Sequence, residues 1–319
     1  MWFLLLRKLG SLVPTVLIAT FVVFALQALI PGGPASALAG PDAAPEAVAA
    51  IEERLHLDDP FLLRYLRWLG DAVQGDLGRS YLTQQPVSEL IGQRLEPTLE
   101  LTIGALLVSI VVGGALGMWS AIRARHRDGR IVSALSGIGL AMPNFWVAAI
   151  SAGFFGLYLG ILPVGGYVPL GAGLYENVRS LTLAVLVMAV HSAVLIGLQL
   201  RSAMSATLDS THVRTARAVG LRPREVYFNF ALRAALPPVI TYLPLIFAAL
   251  VGSSVVVESV FSIPGLGLAT SQAIDNRDYP TLQGIVLVLV LAVVVLNILA
   301  DVALVIIDPR LRRRMGVQA

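Results

Sequence analysis

Residues 211–238 read THVRTARAVGLRPREVYFNFALRAALPP, and they form the only long polar-flanked helical pattern in a chain that is otherwise mostly apolar. Asp209 and Ser210 are suitable N-cap residues, because their side-chain oxygens accept hydrogen bonds from the free amides of a first helical turn. Gly220 is suited to end this helix, since glycine readily adopts the left-handed conformation common after a helix. The pattern therefore predicts a short helix that ends before Gly220.

A second helix is expected to begin at Pro223, because proline fits the first turn of a helix, where its missing N–H is not needed. We expect the pair Pro237-Pro238 to close that helix, since proline interrupts the hydrogen bonds of a helix interior. The segment 211–238 is thus predicted as a helix, a glycine break and a second helix.

One face of the first helix carries small side chains. Val213, Ala216 and Gly220 are spaced at i, i+3 and i+7, which places them on one face. The flanking basic residues are Arg214, Arg217, Arg222 and Arg224. A small-faced helix with arginines around it favours docking into a groove of another protein.

The composition indicates a protein that crosses a membrane several times. Hydrophobic residues make up 56% of the chain, charged residues 13%, and the mean hydropathy is +0.79. Soluble domains carry about 25% charged residues. The net charge of +3 is small, so no nucleic-acid partner is expected. The absence of cysteine excludes disulfides and thiolate metal sites.

The chain carries no recognisable nucleotide-binding or catalytic motif. Its one lysine, Lys8, follows Arg7, so the Gly-Lys pair that cradles phosphates in a Walker A loop is missing. The HExxH and GxSxG motifs are also missing. We therefore expect a protein that is not an enzyme and holds no cofactor. If ATP drives it, hydrolysis must occur on a partner.

Six windows without charged residues are each long enough to span a bilayer, which needs about 20 apolar residues. They are 9–30, 101–122, 131–159, 180–200, 234–257 and 279–300. Six spans place both termini on one side. The segments on that side contain 16 Lys and Arg, against 7 on the other. The basic side is cytosolic by the positive-inside rule, so we expect cytosolic termini and a cytosolic segment 211–238.

The loop 31–97 follows the first span and carries ten acidic residues and five arginines. Leucines and aromatic residues recur at helical spacing in 61–69, after Pro60, and a second helical pattern covers 46–56. Loops of this length in compact proteins usually carry function. The loop is too large to be a simple connector, and a cap on the helix bundle is one open interpretation.

A few residues inside the predicted spans are unusual. Gly113 and Gly117 form a small-xxx-small pair, which is typical of close helix contacts. His191 lies in the fourth span, where an internal hydrogen bond is expected rather than metal binding, because no other ligand lies at suitable spacing. Asn297 and Asp301 lie one turn apart in the sixth span, an arrangement that a proton relay would require.

Nine short motifs are spaced along most of the chain. They are PGGP at 31–34, LDDP at 57–60, GDLGRS at 75–80, PTLEL at 97–101, TARAVG at 215–220, ALRAALP at 231–237, ESVFSIPGLG at 258–267, RDYP at 277–280 and DPR at 308–310. Together they resemble the dipeptide/oligopeptide permease family of ATP-binding-cassette (ABC) importers, which are inner-membrane components of binding-protein-dependent transport systems. Phe230 and Ala234 stand where that family usually has histidine and asparagine.

The resemblance implies an all-α integral membrane protein with the type I permease fold of ABC importers, in the bacterial inner membrane. The implied segments are an N-terminal tail with the first span (1–30), an extracytoplasmic loop domain (31–97), a core transmembrane domain (98–306) with a cytoplasmic coupling loop (201–238), and a cytoplasmic tail (307–319). The implied partners are a second homologous permease subunit, two cytoplasmic ATP-binding subunits that hold ATP and magnesium, and an extracytoplasmic substrate-binding protein.

The resemblance also implies two groups of site residues. Those expected to couple to the ATPase are Val213, Arg214, Ala216, Arg217 and Gly220. Those expected at the binding-protein surface or gate are Asp76, Glu258, Pro264, Gly265, Arg277 and Asp278.

The implied function is uptake of di- and oligopeptides. Relatives that share these motifs also carry nickel, glutathione or other cargo, so the cargo stays open. A proton-coupled secondary transporter that depends on Asp301 or Glu258 is the alternative from another class.

Overall fold

The computed structural model describes residues 2–29, 33–40, 43–124 and 126–307. Within these ranges the chain is helical, and the extended pairing consists of one isolated bridge between Arg79 and Pro86. The α-helices are α1 Trp2–Ala28, α2 Gly33–Ala39, α3 Pro45–Arg54, α4 Phe61–Val73, α5 Val87–Ile122, α6 Arg127–Ala141, α7 Asn144–Ser151, α8 Leu174–Leu208, α9 Thr211–Ala218, α10 Pro223–Glu225, α11 Arg233–Val260, α12 Leu266–Asp275 and α13 Tyr279–Ile307. The prediction of an all-α fold is confirmed.

Four helical segments are long and apolar enough to cross a membrane. They are α5, α8, the continuous segment Pro223–Val260 and α13. A fifth candidate is the pair Val13–Ala28 and Gly33–Ala39, which is bent by 55°. The second, fourth, fifth and sixth predicted spans lie inside the four long segments. The first lies inside α1 except for its end, where residue 30 is outside the described residues.

The third predicted span, 131–159, is not one helix. α6 ends at Ala141, Met142 has an extended backbone with φ −81° and ψ 121°, and α7 begins at Asn144. Pro143 causes the break, because the residue before a proline is disfavoured in the helical conformation. α7 then continues as a π-helical turn, Ala152–Tyr158. The prediction of one uninterrupted helix is wrong here, since a charge-free composition does not reveal a local break.

Pro237 and Pro238 do not close the second helix of the segment 211–238. The helical backbone continues from Pro223 to Val260, with a π-helical turn at Val226–Leu232, and both prolines lie inside α11. An apolar environment offers the backbone no water as an alternative partner, so helices tolerate proline better there than in water. The expected closure is therefore wrong.

The chain divides into two compact units. The first contains Leu99–Ile263 and the described part of the segment that begins at Val295. In this unit α8 packs along α11. A Cβ atom at Gly113 would lie 2.3 Å from the carbonyl oxygen of Ala193, and one at Gly117 would lie 2.4 Å from that of Gly197. The predicted small-residue contact is confirmed, because no side chain fits between α5 and α8 at these two positions.

The second unit contains Trp2–Thr98 and Pro264–Val294. Its core is the buried cluster of Val87, Leu90, Ile91, Leu266, Ala269 and Ile285. The start of α12 is fixed in this unit, because the amide of Leu266 donates a hydrogen bond of 2.7 Å to the hydroxyl oxygen of Thr98. The unit joins α1, the loop 31–97 and residues 264–294, a grouping that the segments predicted from sequence do not contain.

Both helices expected in the loop 31–97 are present. α3 covers the first pattern, and α4 begins directly after Pro60, as expected. The hydroxyl of Tyr65 on α4 donates to the carbonyl of Leu17 on α1 at 3.1 Å, and the hydroxyl oxygen of Thr20 lies 3.1 Å from the hydroxyl oxygen of Tyr65. These bonds attach α4 to the first helix.

Aromatic rings extend this attachment. Each of two rings on α1 meets each of two rings on α4 edge to face, with centroids 5.3–5.6 Å apart. The four residues are Phe21, Phe24, Phe61 and Tyr65. Such pairs add stability beyond the area that they bury, so the loop domain is held to α1 by packing as well as by the chain.

Candidate functional site

The first candidate site is the segment from Ser210 to Leu232, in the first unit. Ser210 is the N-cap residue of α9, with an extended backbone, although its hydroxyl donates back to the carbonyl of Thr207 rather than capping α9. At the other end Gly220 has φ +87°. The amide of Gly220 donates to the carbonyl of Arg217 at 3.0 Å, and that of Leu221 to the carbonyl of Ala216 at 3.2 Å. These two bonds are a Schellman motif, so the predicted glycine stop is confirmed.

The small-residue face of α9 is turned toward its own chain. The exposed fraction of Val213 is 0% and that of Ala216 is 8%, and α9 packs against the turn Val226–Leu232 and against α8. Val213 and Ala216 are thus packed against the chain itself, because an apolar stripe on a short polar helix is buried against the nearest apolar partner.

The other residues of α9 and the two that follow it are exposed, including Gly220, which the spacing had placed on the same face as Val213 and Ala216. Arg214, Arg217 and Gly220 are exposed, and Val219 has an exposed fraction of 77%. A valine this exposed, with two arginines beside it, gives the helix a mixed apolar and cationic surface. The predicted coupling residues thus divide into two that anchor α9 and three on its accessible side. Sequence reasoning missed Val219, although its place at the end of the TARAVG motif was visible.

The second helix of the segment starts as the sequence predicts. Pro223 is its first residue, and the carboxylate of Glu225 accepts a hydrogen bond of 3.1 Å from the amide of Arg222. The guanidinium of Arg224 lies 6.0 Å from the centre of the Phe228 ring. These contacts fix the connection between α9 and the long helical segment that follows.

The second candidate site is a cluster around Asp278, in the second unit. The exposed fraction of Asp278 is 4%. Its carboxylate accepts hydrogen bonds from the hydroxyl of Ser80 at 2.5 Å, the amide of Tyr81 at 2.9 Å and the hydroxyl of Thr281 at 2.8 Å. Asp278 therefore holds the loop before α5 against the start of α13. A carboxylate engaged in this way positions a surface rather than contacting a partner itself.

Arg277 makes a similar connection. Its backbone has φ +54°, and its guanidinium donates to the carbonyl of Gly33 at 3.2 Å and to the hydroxyl oxygen of Ser36 at 3.3 Å. The RDYP motif thus fixes α2 and the loop before α5 through two neighbouring side chains. Of these partners, Ser80 lies inside the GDLGRS motif, and that motif was the only sequence signal for it.

The other predicted docking residues lie in different surroundings. Asp76 is exposed, and its carboxylate accepts a hydrogen bond of 2.8 Å from the amide of Gly78, which shapes the turn. Pro264 and Gly265 directly precede α12. Glu258, in the first unit, has an exposed fraction of 0%. The structure therefore gathers Asp76, Arg277 and Asp278 into one unit and leaves Glu258 inside the other.

A polar network in the first unit was missed by sequence reasoning. The carboxylate of Glu100 accepts hydrogen bonds from the side-chain amide of Asn177 at 2.8 Å and from the hydroxyl of Tyr167 at 3.2 Å. The amide of Asn177 also donates to the carbonyl of Val168 at 2.9 Å. The network fixes the glycine-rich segment before α8 to α5. PTLEL contains Glu100, but nothing in the motif indicates its distant partners.

The pKa of one tyrosine in the second unit, Tyr81, is shifted by its surroundings. Burial raises the pKa of the Tyr81 phenol above its ordinary value. The Arg64 guanidinium opposes this rise, and the carboxylate of Asp278 reinforces it. The neutral phenol is therefore favoured.

Two family profiles match the chain. The profile described as binding-protein-dependent transport system inner membrane component covers residues 113–313. The profile for the N-terminal part of such membrane components covers residues 1–102.

Similar proteins are known over nearly the full length. A candidate peptide transport system permease protein of Brucella abortus is 37% identical over 310 residues, 97% of this chain and 98% of that protein. A probable peptide ABC transporter permease protein of Sinorhizobium fredii is 34% identical over 308 residues, 97% of this chain and 98% of that one. The glutathione transport system permease protein GsiC of Salmonella paratyphi A is 35% identical over 309 residues, which are 96% of this chain and 98% of that protein.

Solved structures share the fold. An inward-facing structure of the MetNI methionine ABC transporter superposes with a TM-score of 0.58 at 19% identity, covering 69% of this chain and 96% of that chain. An amino acid ABC transporter with histidines gives a TM-score of 0.51 at 15% identity, covering 68% of this chain and 94% of that chain. The resemblance noted from the motifs is confirmed: the chain belongs to the family of binding-protein-dependent transport system inner membrane components, the permeases of ABC importers.

Proposed function

We propose that this chain is the transmembrane subunit of an ATP-driven importer that takes up short peptides. Family membership supports the transporter class. Relatives at 37% and 34% identity are named for peptide transport, and a third, at 35%, is named for glutathione, which is itself a short peptide. Three such names at similar identity favour a peptide backbone over nickel as the cargo.

The proposed topology has six spans with both termini in the cytosol of a bacterial cell. The broken pair of α6 and α7 with its π-helical turn supplies the third span, and the other five are α1, α5, α8, Pro223–Val260 and α13. The loop 31–97 then lies outside, and α9 lies in the cytosol. The excess of basic residues on the side of α9 supports this orientation.

The observation that carries the coupling proposal is the division of α9 into an anchored face and an open face. Val213 and Ala216 bury one side against the chain, while Arg214, Arg217 and Val219 leave the other side exposed. A partner that presses on the open face displaces a body that is already packed against α8 and the turn Val226–Leu232. The force therefore reaches the transmembrane helices without a flexible link.

The proposed partners complete an importer. Two cytoplasmic ATPase subunits hold ATP and magnesium and dock on α9 of each permease. A second, homologous permease forms the other half of the path. A substrate-binding protein docks outside, on the surface that Arg277 and Asp278 hold in place. Closure of the ATPases on ATP drives a rigid-body rearrangement of α8 and α11 in each permease.

Cross-linking tests the docking face. We expect a cysteine at exposed Ala218 to cross-link to the ATPase subunit in the assembled transporter, and a cysteine at buried Ala216 to react much less. Equal labelling at both positions, or cross-links from Ala218 to lipid alone, would contradict the proposed docking face.

The energy source separates this proposal from a proton-coupled transporter. We expect uptake of a labelled dipeptide by the reconstituted complex to stop when ATP is removed and to continue when an uncoupler collapses the proton gradient. Uptake with the opposite dependence would favour a role for Asp301 or Glu258 as a proton carrier.

Gly220 provides a further test of coupling. Its positive φ disfavours any side chain, and nothing lies within 4 Å of a Cβ atom placed there. Gly220→Trp is expected to insert in the membrane normally and to abolish substrate-stimulated ATP hydrolysis, because a bulky ring projects from the docking side. Normal stimulation in this variant would remove Gly220 from the coupling surface.

A further inference from the structure

A cavity of about 260 Å³ lies in the second unit, between the loop helices, the end of α1 and the start of α13. At about 30 Å³ per molecule of liquid water, it has room for a small organic molecule. Its polar lining residues include Arg64, Trp68, Tyr81 and Gln283, and its apolar lining residues include Phe24 and Leu57. The coupling and docking roles proposed above do not use this cavity.

One residue in the wall of the cavity has a hydrogen-bond donor without an acceptor. Among the described residues, two buried side-chain nitrogens have no hydrogen-bond partner: the indole nitrogen of Trp68, a lining residue, and the amide nitrogen of Gln27, which is not one. Trp68 lines the cavity directly. Gln27 lies behind it, since its side-chain oxygen accepts a hydrogen bond of 2.7 Å from Gln283, a lining residue. Buried donors of this kind are rare because each costs desolvation free energy, and a ligand rich in acceptors would satisfy that of Trp68.

One arginine in the wall of the cavity is available to an anion. Arg67 forms an ion pair with Asp59, and Asp71 adds an exposed carboxylate. Within the described part of the chain Arg64 has no carboxylate partner: its guanidinium donates to the carbonyl of Leu57 at 3.2 Å and lies 5.7 Å from the centre of the Phe24 ring. A guanidinium has five N–H donors, so most of those of Arg64 stay available to a ligand.

We propose that this cavity binds the carboxylate of a small molecule with an apolar group, such as the end of a short peptide. The carboxylate accepts from Arg64 and from the indole N–H of Trp68, and the apolar group contacts Phe24 and Leu57. A fork of arginine donors matches the two oxygens of a carboxylate. The site is thus a carboxylate subsite beside the Asp278 cluster, since Tyr81 lines the cavity and donates its amide to Asp278.

Binding is tested on the complete transporter in nanodiscs of zwitterionic lipid, without the substrate-binding protein. The probes are a short apolar dipeptide with a free C-terminal carboxylate and the same dipeptide with a C-terminal amide. Calorimetry is expected to show that the carboxylate form binds at least about tenfold more tightly, as is typical for loss of a charge-assisted hydrogen bond. Equal binding of the two forms, or no binding of either, would overturn the proposal.

Variants assign the site. Arg64→Gln should weaken binding of the carboxylate form about tenfold, and Trp68→Phe, which keeps a ring but removes the N–H, about threefold. Arg54→Gln is the matched control, because Arg54 is an exposed arginine of the same loop domain that does not line the cavity. Unchanged binding by a folded Arg64→Gln would refute the assignment, and Arg64→Lys replaces it if that variant does not fold.

A membrane source of the anion is distinguished by lipid composition. Nanodiscs with anionic phospholipid should leave binding of the carboxylate probe unchanged. Full competition by that lipid would replace the proposal with a headgroup site. Because binding is measured directly, a negative result leaves ATP-driven peptide uptake standing, and a failure of uptake leaves the subsite standing.

Discussion

Val213 and Val219 are two valines on or next to the same short helix, α9, and the structure assigns them opposite tasks. Val213 has an exposed fraction of 0% and Val219 one of 77%. We expect Val219→Ala to weaken ATPase docking without a change in stability, and Val213→Ala to lower stability. Because the substitution is the same at both positions, each variant is the control for the other.

The expected sizes follow from the exposed fractions. Val219→Ala removes two methyl groups at about 0.8 kcal/mol each, and scaling by the exposed fraction gives about 1.2 kcal/mol, or roughly an eightfold loss of affinity per docking site. Val213→Ala removes the same groups from a filled interior and leaves a small cavity, so it should lower the free energy of unfolding by about 2 kcal/mol.

The assay measures both quantities for both variants. Affinity is read from titration of the ATPase subunit onto permease in detergent, and stability from thermal unfolding of the permease alone. A Val219→Ala protein that docks normally but unfolds at a lower temperature would show that the open face of α9 has been identified wrongly. Weak docking by Val213→Ala at unchanged stability would lead to the same conclusion.

Three further predictions concern the remaining contacts. Gly117→Val should lower the unfolding temperature, with an overpacking cost of about 1–3 kcal/mol, because its Cβ would lie 2.4 Å from the Gly197 oxygen; Gly114→Val, where the space is open, is the control, and equal effects would argue against the close contact. Asp278→Ala should expose the loop before α5 to protease, since three donors lose their acceptor, and unchanged cleavage would exclude the clamp. Stability should fall as pH rises above 10.0, the ordinary pKa of a tyrosine, because the folded state holds the proton of Tyr81 more tightly than the unfolded state; Tyr81→Phe should reduce this alkaline loss, and an identical pH profile would contradict the raised pKa.

Local chemistry explains the parts of the fold that the sequence predicts correctly. The helix end at Gly220 and the helix start at Pro223 depend on backbone preferences of single residues. The local sequence is therefore enough to predict both. The positions of the four long apolar helices were predictable because a membrane span requires a long apolar run. The pair Gly113 and Gly117 was readable for a related reason, since small residues at that spacing serve close helix contacts.

Prediction from sequence fails where the residues in contact are far apart in the chain. The direction of Val213 depends on the turn Val226–Leu232, which the helical pattern of α9 does not contain. Asp278 and Ser80 are 198 residues apart, and their hydrogen bond gives no local signal. The break before Pro143 is a different case, because the proline itself disfavours a helical residue before it, whereas the absence of charge carries no information about a local break.

The aromatic contacts between α1 and α4 have a mechanical consequence. A domain joined to a membrane protein only through its two chain ends can swivel while the membrane part stays still. Here four interlocked rings and the bond from Tyr65 to Leu17 fix α4 to α1. A tilt of the first helix must therefore carry α4 with it, and a force on α4 must move the first helix.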